Sequence, residues 1–255
     1  MKISICQPDT AWLQPTANRH RIEQFLSAAP DTQLLVLPEM FSTGFCLQPH
    51  LCAEPEPHET LQWMHRMARQ HHTALAGSLA VRDGANYYNR FYFVLPNGNV
   101  HSYDKRHLFS PAGEDRAYTA GRRRVIVSWG GMRFLLQVCY DLRFPVFSRN
   151  RHDYDAAIYV ANWPATRQTA WEQLLRARAL ENQCYVIGVN RTGRDPHNAY
   201  GGGSAVIGPQ GETLALCKPH SEDLQTADLD MEALREVRQQ FPALDDGDTF
   251  SMDLL

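Results

Sequence analysis

Apolar residues come along this chain in short runs of strand length, separated by longer stretches in which they recur every three or four positions. Strand-length runs fall at 3–6, 34–37, 74–79, 91–95, 125–129, 134–139, 156–161, 184–189, 205–207 and 213–216, most of them bounded by Gly, Pro, Asn or Asp. Stretches 16–29, 58–70, 167–181 and 231–239 carry the helical spacing, which predicts helices with one face laid on a sheet. Alternation of the two patterns favours an α/β or layered α+β architecture over an all-α or all-β one. Pro96-Asn97-Gly98-Asn99 predicts a hairpin between 91–95 and 100–103, because Asn-Gly accepts the positive φ angles of a tight turn. Gly208-Pro209-Gln210-Gly211 predicts a second one. There is no repeat, low-complexity tract or linker-like stretch, so residues 1–255 are expected to form one domain, with the tail from about residue 241 as an extended arm or surface segment.

Composition narrows the picture by exclusion. Of 255 residues, 44% are apolar and 21% charged, as in an ordinary soluble globular chain able to bury a large core. With 25 Lys and Arg against 28 Asp and Glu the net charge is −3, and the one dense basic patch, Arg122-Arg123-Arg124, is short. No nucleic-acid partner is therefore expected, since such binding draws on phosphate neutralisation. No apolar run reaches the length that crosses a bilayer, and the N-terminal pattern is that of a strand and not a signal peptide, so a cytoplasmic location is expected. Six scattered cysteines suggest no disulfide framework, and no Cys or His spacing suggests a metal. Neither GxGxxG nor GxxxxGK[ST] occurs, so no organic cofactor is expected.

Three stretches carry candidate chemistry. In Leu34-Leu35-Val36-Leu37-Pro38-Glu39-Met40-Phe41 the proline ends a strand and delivers Glu39 among apolar neighbours, an environment that raises a carboxylate's proton affinity and suits a general base. The plain alternative is an exposed glutamate in a turn. In Tyr103-Asp104-Lys105-Arg106-His107 the lysine is either a cation for developing negative charge or a surface residue. In Leu135-Leu136-Gln137-Val138-Cys139-Tyr140-Asp141-Leu142-Arg143-Phe144-Pro145 a buried-looking strand ends at a thiol, which is either a nucleophile beside backbone donors or a small core residue.

Taken together, the ordered motifs LPExxxTGF, DKRHLF and CYDLRFP, with Lys105 66 residues after Glu39 and Cys139 34 after Lys105, closely resemble the nitrilase or carbon–nitrogen hydrolase superfamily. Residues 153–164, ending in VANWP, and 178–186 extend the resemblance over nearly the whole chain. It implies an αββα sandwich whose subunits pair into a layered homodimer, and a catalytic set of Glu39 as general base, Lys105 as the oxyanion-side cation and Cys139 as nucleophile. The backbone N–H of Tyr140 would complete the oxyanion site, and Glu114 resembles a second glutamate that orients the lysine or the substrate. CYDLRFP, VANWP and DKRHLF look most like the omega-amidase branch, which implies hydrolysis of the terminal amide of a small 2-oxo acid monoamide such as 2-oxoglutaramate, without metal or cofactor. An anionic small-molecule substrate calls for cationic or amide donors, with Arg143, Asn162 and Trp163 as candidates and Phe41, Tyr140 and Trp163 as walls. Arg143 is equally open to a structural ion pair with Asp141 or Glu172. Two alternatives share the chain: another amidase, carbamoylase or nitrilase of the same superfamily, and a catalytically silent binding protein. A thiol redox protein would need a resolving cysteine near Cys139, and none is close in sequence.

Overall fold

In a computed structural model, which describes residues 1–29 and 31–252, the apolar runs pair into two six-stranded sheets whose inner faces meet. The strands in chain order are β1 (Lys2–Gln7), β2 (Leu34–Val36), β3 (Ala74–Asp83), β4 (Asn86–Val94), β5 (Val100–Asp104), β6 (Ile126–Trp129), β7 (Met132–Val138), β8 (Ala156–Ala161), β9 (Tyr185–Asn190), β10 (Thr192–Arg194), β11 (Ala199–Gly201), β12 (Ala205–Ile207), β13 (Thr213–Leu216) and β14 (Asp223–Asp228). The helices are α1 (Pro15–Ala28), α2 (Pro49–Cys52), α3 (Glu59–His71), α4 (Glu114–Ala117), α5 (Pro145–Ser148), α6 (Gln168–Asn182) and α7 (Met231–Gln240). One sheet runs β14-β1-β2-β3-β4-β5 and the other β13-β12-β9-β8-β7-β6, while β10 and β11 form a separate hairpin. Each large sheet is parallel at its centre, where β1, β2 and β3 or β7, β8 and β9 lie side by side, and antiparallel outside. Central parallel strands are covered on both faces, which is why β8 reads Ala-Ala-Ile-Tyr-Val-Ala with every position buried.

Ile3, Ile5, Val36, Phe91 and Phe93 of the first sheet pack on Phe134, Leu136, Ile158 and Val160 of the second, with the Phe93 and Phe134 rings 5.8 Å apart. On the outer faces, Ile22, Leu26, Trp63 and Met64 of α1 and α3 cover Leu35, Leu37 and Leu75. Trp171, Leu175 and Ala179 of α6 cover Tyr159, Ala161 and Val186. The layers therefore follow the expected order, helix, sheet, sheet, helix.

Two features depart from the sequence pattern. Strand β14 pairs antiparallel with β1 at one sheet edge, Lys2 opposite Asp228, although it is largely polar. Polar side chains suit an edge that must not recruit another strand, and they erase the apolar signal. The run Gly201-Gly202-Gly203, a composition that by itself reads as a flexible loop, is buried. Gly202 has φ +74°, and a Cβ there would lie 2.4 Å from the Gln7 side chain, so the position needs glycine for both conformation and space. In the tail, Asp245 pairs with His152 at 3.2 Å, the Phe250 ring lies 4.5 Å beneath the Arg151 guanidinium and Met252 packs on the inter-sheet core. Residues 253–255 of the expected arm lie outside the described residues.

Asp155, buried at the start of β8, ties that layer together. It accepts from the Arg133 backbone and guanidinium on β7 at 2.8–3.0 Å and from Arg238 on α7 at 3.2 Å. Burial acts to raise its pKa, but the Arg133 bonds and charges outweigh it and hold the carboxyl below its ordinary 3.8. A depressed pKa means stability that is present above the unfolded value and lost as pH falls through the folded one. Asp155→Asn is expected to cost about 1–3 kcal/mol at neutral pH, and in urea titrations the gap to the wild type should close as pH drops below 3.8.

Candidate active site

Three strand ends converge on one buried cluster of charge. Pro38 stops the chain beyond β2, and the next residue, Glu39, turns its carboxylate inward at 1% exposure. Lys105 follows β5 directly and is also 1% exposed. Cys139 follows β7, half-buried, at the first residue of a 3₁₀ turn spanning Cys139–Arg143. Met40 and Cys139 have φ angles of +41° and +47°, a region non-glycine residues seldom occupy and which is held only where the surroundings enforce it.

The Lys105 ammonium donates to Glu39 Oε1 at 2.9 Å and to both oxygens of Glu114 at 3.0 and 2.8 Å. Burial opposes its charge, yet the Glu114 and Glu39 carboxylates outweigh that and hold its pKa well above the ordinary lysine value. Glu114, at the start of α4, has its pKa raised by burial in spite of Lys105. It also accepts from the Phe109 amide at 2.6 Å. Asn89 on β4 bridges the two carboxylates, its amide nitrogen 2.7 Å from Glu39 Oε1 and 3.1 Å from Glu114 Oε1. The Ser78 hydroxyl donates to Asn89 Oδ1 at 2.9 Å and accepts from the Met40 amide at 2.9 Å. Asn162, just beyond β8, donates its backbone N–H to Glu39 Oε2 at 2.8 Å and its side-chain amide to the Glu39 carbonyl at 2.6 Å. Burial, and after it the charge of Glu39, pushes the pKa of the Cys139 thiol well up despite Lys105, so at neutral pH it rests as the thiol.

Glu39, Lys105, Cys139, Tyr140, Arg143, Asn162 and Trp163 all line one cavity of about 360 Å³. Glu114 stands behind Lys105, fully buried and outside the cavity lining. Phe41, expected as a pocket wall, is instead core: it lies in the layer between the first sheet and α3, its ring 6.2 Å from Trp63. The positive φ at Met40 turns the chain between Glu39 and Phe41, so the two side chains do not share a face. Arg143 makes no ion pair among the described residues and lies 5.1 Å over the Trp163 ring. Asp141 is taken by His107 Nδ1 at 2.7 Å, the Tyr103 hydroxyl at 2.8 Å and the Val138 amide at 2.8 Å. Asn89, Ser78 and Arg167 are absent from the sequence reading. The available signal was a polar residue within an apolar run, as Ser78 is in Ala74–Leu79; Asn89, with Asn86 and Arg90 beside it on β4, carried none.

The sequence model for carbon–nitrogen hydrolases matches residues 2–239. This chain belongs to the carbon–nitrogen hydrolase family. Among its carbon–nitrogen hydrolase relatives, omega-amidase YafV of Escherichia coli strain K12 is 46% identical over 253 residues, covering 99% of this chain and 98% of that protein. The 2-oxoglutaramate amidase of Bacillus subtilis strain 168 is 33% identical over 250 residues, 96% of each chain. A CN-hydrolase superfamily protein from Xanthomonas campestris, solved with an arsenic adduct in its active site, superposes with a TM-score of 0.95 at 40% identity over 99% of both chains.

The charge cluster makes a specific demand on stability. Removing the cation alone strands two carboxylates without solvent, so Lys105→Met is expected to cost about 3–5 kcal/mol. The triple variant Lys105→Met, Glu39→Gln, Glu114→Gln should recover most of that loss in urea denaturation, because the charges leave together.

Proposed function

We propose that the protein hydrolyses the terminal amide of a small carboxylate-bearing monoamide, of the 2-oxoglutaramate kind, to the acid and ammonia through a thioester on Cys139. The observation that carries this reading is the convergence of Glu39, Lys105 and Cys139 at one cavity that also holds Arg143, which has no ion-pair partner among the described residues. The names of the 46% and 33% identical relatives support the substrate class.

In the mechanism, Glu39 takes the thiol proton as sulfur attacks the amide carbon. The raised Cys139 pKa means that no standing thiolate waits in the site, so proton transfer belongs to the attack itself. The oxyanion is met by Lys105 and the Tyr140 N–H, which lies in the first turn of the 3₁₀ segment where backbone donors have no intrahelical acceptor. One such donor is worth about 2.7–4 kcal/mol. Collapse of the tetrahedral adduct breaks the C–N bond as Glu39 returns its proton to the departing ammonia. Glu39 then activates water against the thioester, and the thiol leaves with its proton restored. Glu114 keeps Lys105 charged and in place. Protons and electron pairs balance within this set, so the chemistry calls for no metal and no organic cofactor. Asn162, which donates its backbone N–H and one side-chain N–H to Glu39, positions the base and helps shape the cavity together with Trp163.

We place the working form in the cytoplasm as a homodimer, without nucleic-acid or membrane partners and with residues 1–255 acting as one domain and the segment from about 241 as its arm. Val146, Leu180 and Phe241, at 56, 50 and 70% exposure, supply an apolar surface on α5, on α6 and after α7 for that contact.

Ammonia release from 2-oxoglutaramate tests the function. The wild type should release it in step with the acid, and Cys139→Ala should abolish turnover while its circular dichroism and urea midpoint stay near wild type. Turnover at the wild-type rate in that variant would remove Cys139 from the reaction.

A further inference from the structure

The cavity holds a second cation that the reaction above leaves unused. Arg167 closes the short 3₁₀ turn Ala165–Arg167 and leads directly into α6. Its side chain lines the same cavity as Cys139 and Arg143. The guanidinium lies 5.1 Å over the Phe109 ring, as that of Arg143 lies 5.1 Å over Trp163. An aromatic face holds a guanidinium in place without consuming its N–H donors, which leaves the fork free for a carboxylate. Elsewhere in the second half of the chain, Arg124, Arg133 and Arg178 are matched with Asp153, Asp155 and Glu181. Arg143 and Arg167 have no carboxylate partner among the described residues.

The anionic side of the cavity lining is equally informative. Its one carboxylate, Glu39, already accepts from Lys105, Asn89 and the Asn162 backbone. Nothing of opposite sign remains for a substrate ammonium, whereas a substrate carboxylate has two guanidiniums.

We infer that Arg167 is a specificity-determining residue that grips the substrate carboxylate jointly with Arg143, so that the site selects anionic monoamides over neutral amides and over amides carrying an α-ammonium. This rests on the proposed reading that the cavity receives a carboxylate-bearing monoamide. Five N–H donors in a planar fork match a carboxylate, and they match equally well the adjacent oxygens of a 2-oxo acid. An α-ammonium, as in glutamine or asparagine, would face the same two cations.

The test pairs substrates of equal chain length and different charge, glutaramate and pentanamide, with 2-oxoglutaramate and glutamine alongside. Arg167→Gln is expected to raise KM for glutaramate and 2-oxoglutaramate tenfold or more with kcat little changed, to leave kcat/KM for pentanamide unchanged and to reduce the disadvantage of glutamine. Arg167→Lys should restore part of the loss, since it returns the charge without the fork. Calorimetric titration of glutaramate and pentanamide into Cys139→Ala, with and without Arg167→Gln, gives the same comparison without turnover. An equal loss for anionic and neutral ligands would mean a merely structural role, and no loss for the anion would mean no role; either overturns the inference. If glutaramate binds through Arg167 while 2-oxoglutaramate is not hydrolysed, the proposed substrate falls and Arg167 stands. If 2-oxoglutaramate is hydrolysed with KM indifferent to Arg167, the inference falls alone.

Discussion

A single ammonium buried between two carboxylates governs the active-site end of this molecule. Lys105 sits 2.8–3.0 Å from oxygens of Glu39 and Glu114, and all three side chains are removed from solvent. At an effective dielectric of about 20, each contact at that range is worth roughly 5 kcal/mol, against a desolvation penalty of several kcal/mol per ion. The balance is narrow enough that packed apolar residues would serve stability as well. What the ions add is an unequal count. Two carboxylates share one ammonium, and their negative charge adds to burial, the larger cause, in raising the pKa of Cys139. Lys105 acts to lower that pKa, and its influence is outweighed by burial and by Glu39. On the proposed mechanism the nucleophile is therefore made at the moment of attack.

That cluster is held by strain spread over two chain segments. Left-handed conformations at Met40 and Cys139 cost on the order of 1–3 kcal/mol each. At the first, the Met40 and Phe41 amides are fixed by the Ser78 hydroxyl at 2.9 Å and carbonyl at 3.2 Å. At the second, Asp141 accepts from Val138 on one side and from Tyr103 and the His107 amide on the other, at 2.8, 2.8 and 3.0 Å. One carboxylate thereby fastens the turn that carries Cys139 to the segment that carries Lys105. This gives Asp141, within the CYDLRFP motif, a reason to be acidic that does not involve substrate.

The legible parts of the chain were those with an uninterrupted physical signature. Doubly covered strands such as β8 are apolar at every position, and their limits could be read directly. Glu39, Lys105 and Cys139 were legible as an ordered set, although each taken alone had an ordinary explanation. Asn89 was not, because its function arises only when β4 brings it between Glu39 and Glu114, residues 50 and 25 positions away. Arg167 was hidden by a helical pattern that read it as the first turn of an amphipathic helix. Phe41 was misplaced because sequence proximity to Glu39 was taken for a shared face, which the backbone turn at Met40 prevents. Local pattern conveys burial, in short, while the partners of a polar side chain depend on topology.

The two kinds of charge in the cavity also give the proposed reaction a direction. The surplus negative charge of Glu39, Glu114 and Lys105 lies at the end where Cys139 attacks, while Arg143 and Arg167 supply the free cations of the same lining. A monoamide has one neutral end and one anionic end. Coulomb forces alone then favour the pose in which the amide meets the thiol and the carboxylate meets the guanidiniums. Hydrolysis turns the neutral end into a second carboxylate, which now faces Glu39 and Glu114 at the end of the cavity where Lys105 is already shared between those two carboxylates. Like charges at that range repel in a medium of low polarisability. The attraction that orients the substrate is thus opposed, once the C–N bond is cut, by a repulsion at the other end that favours release of the product.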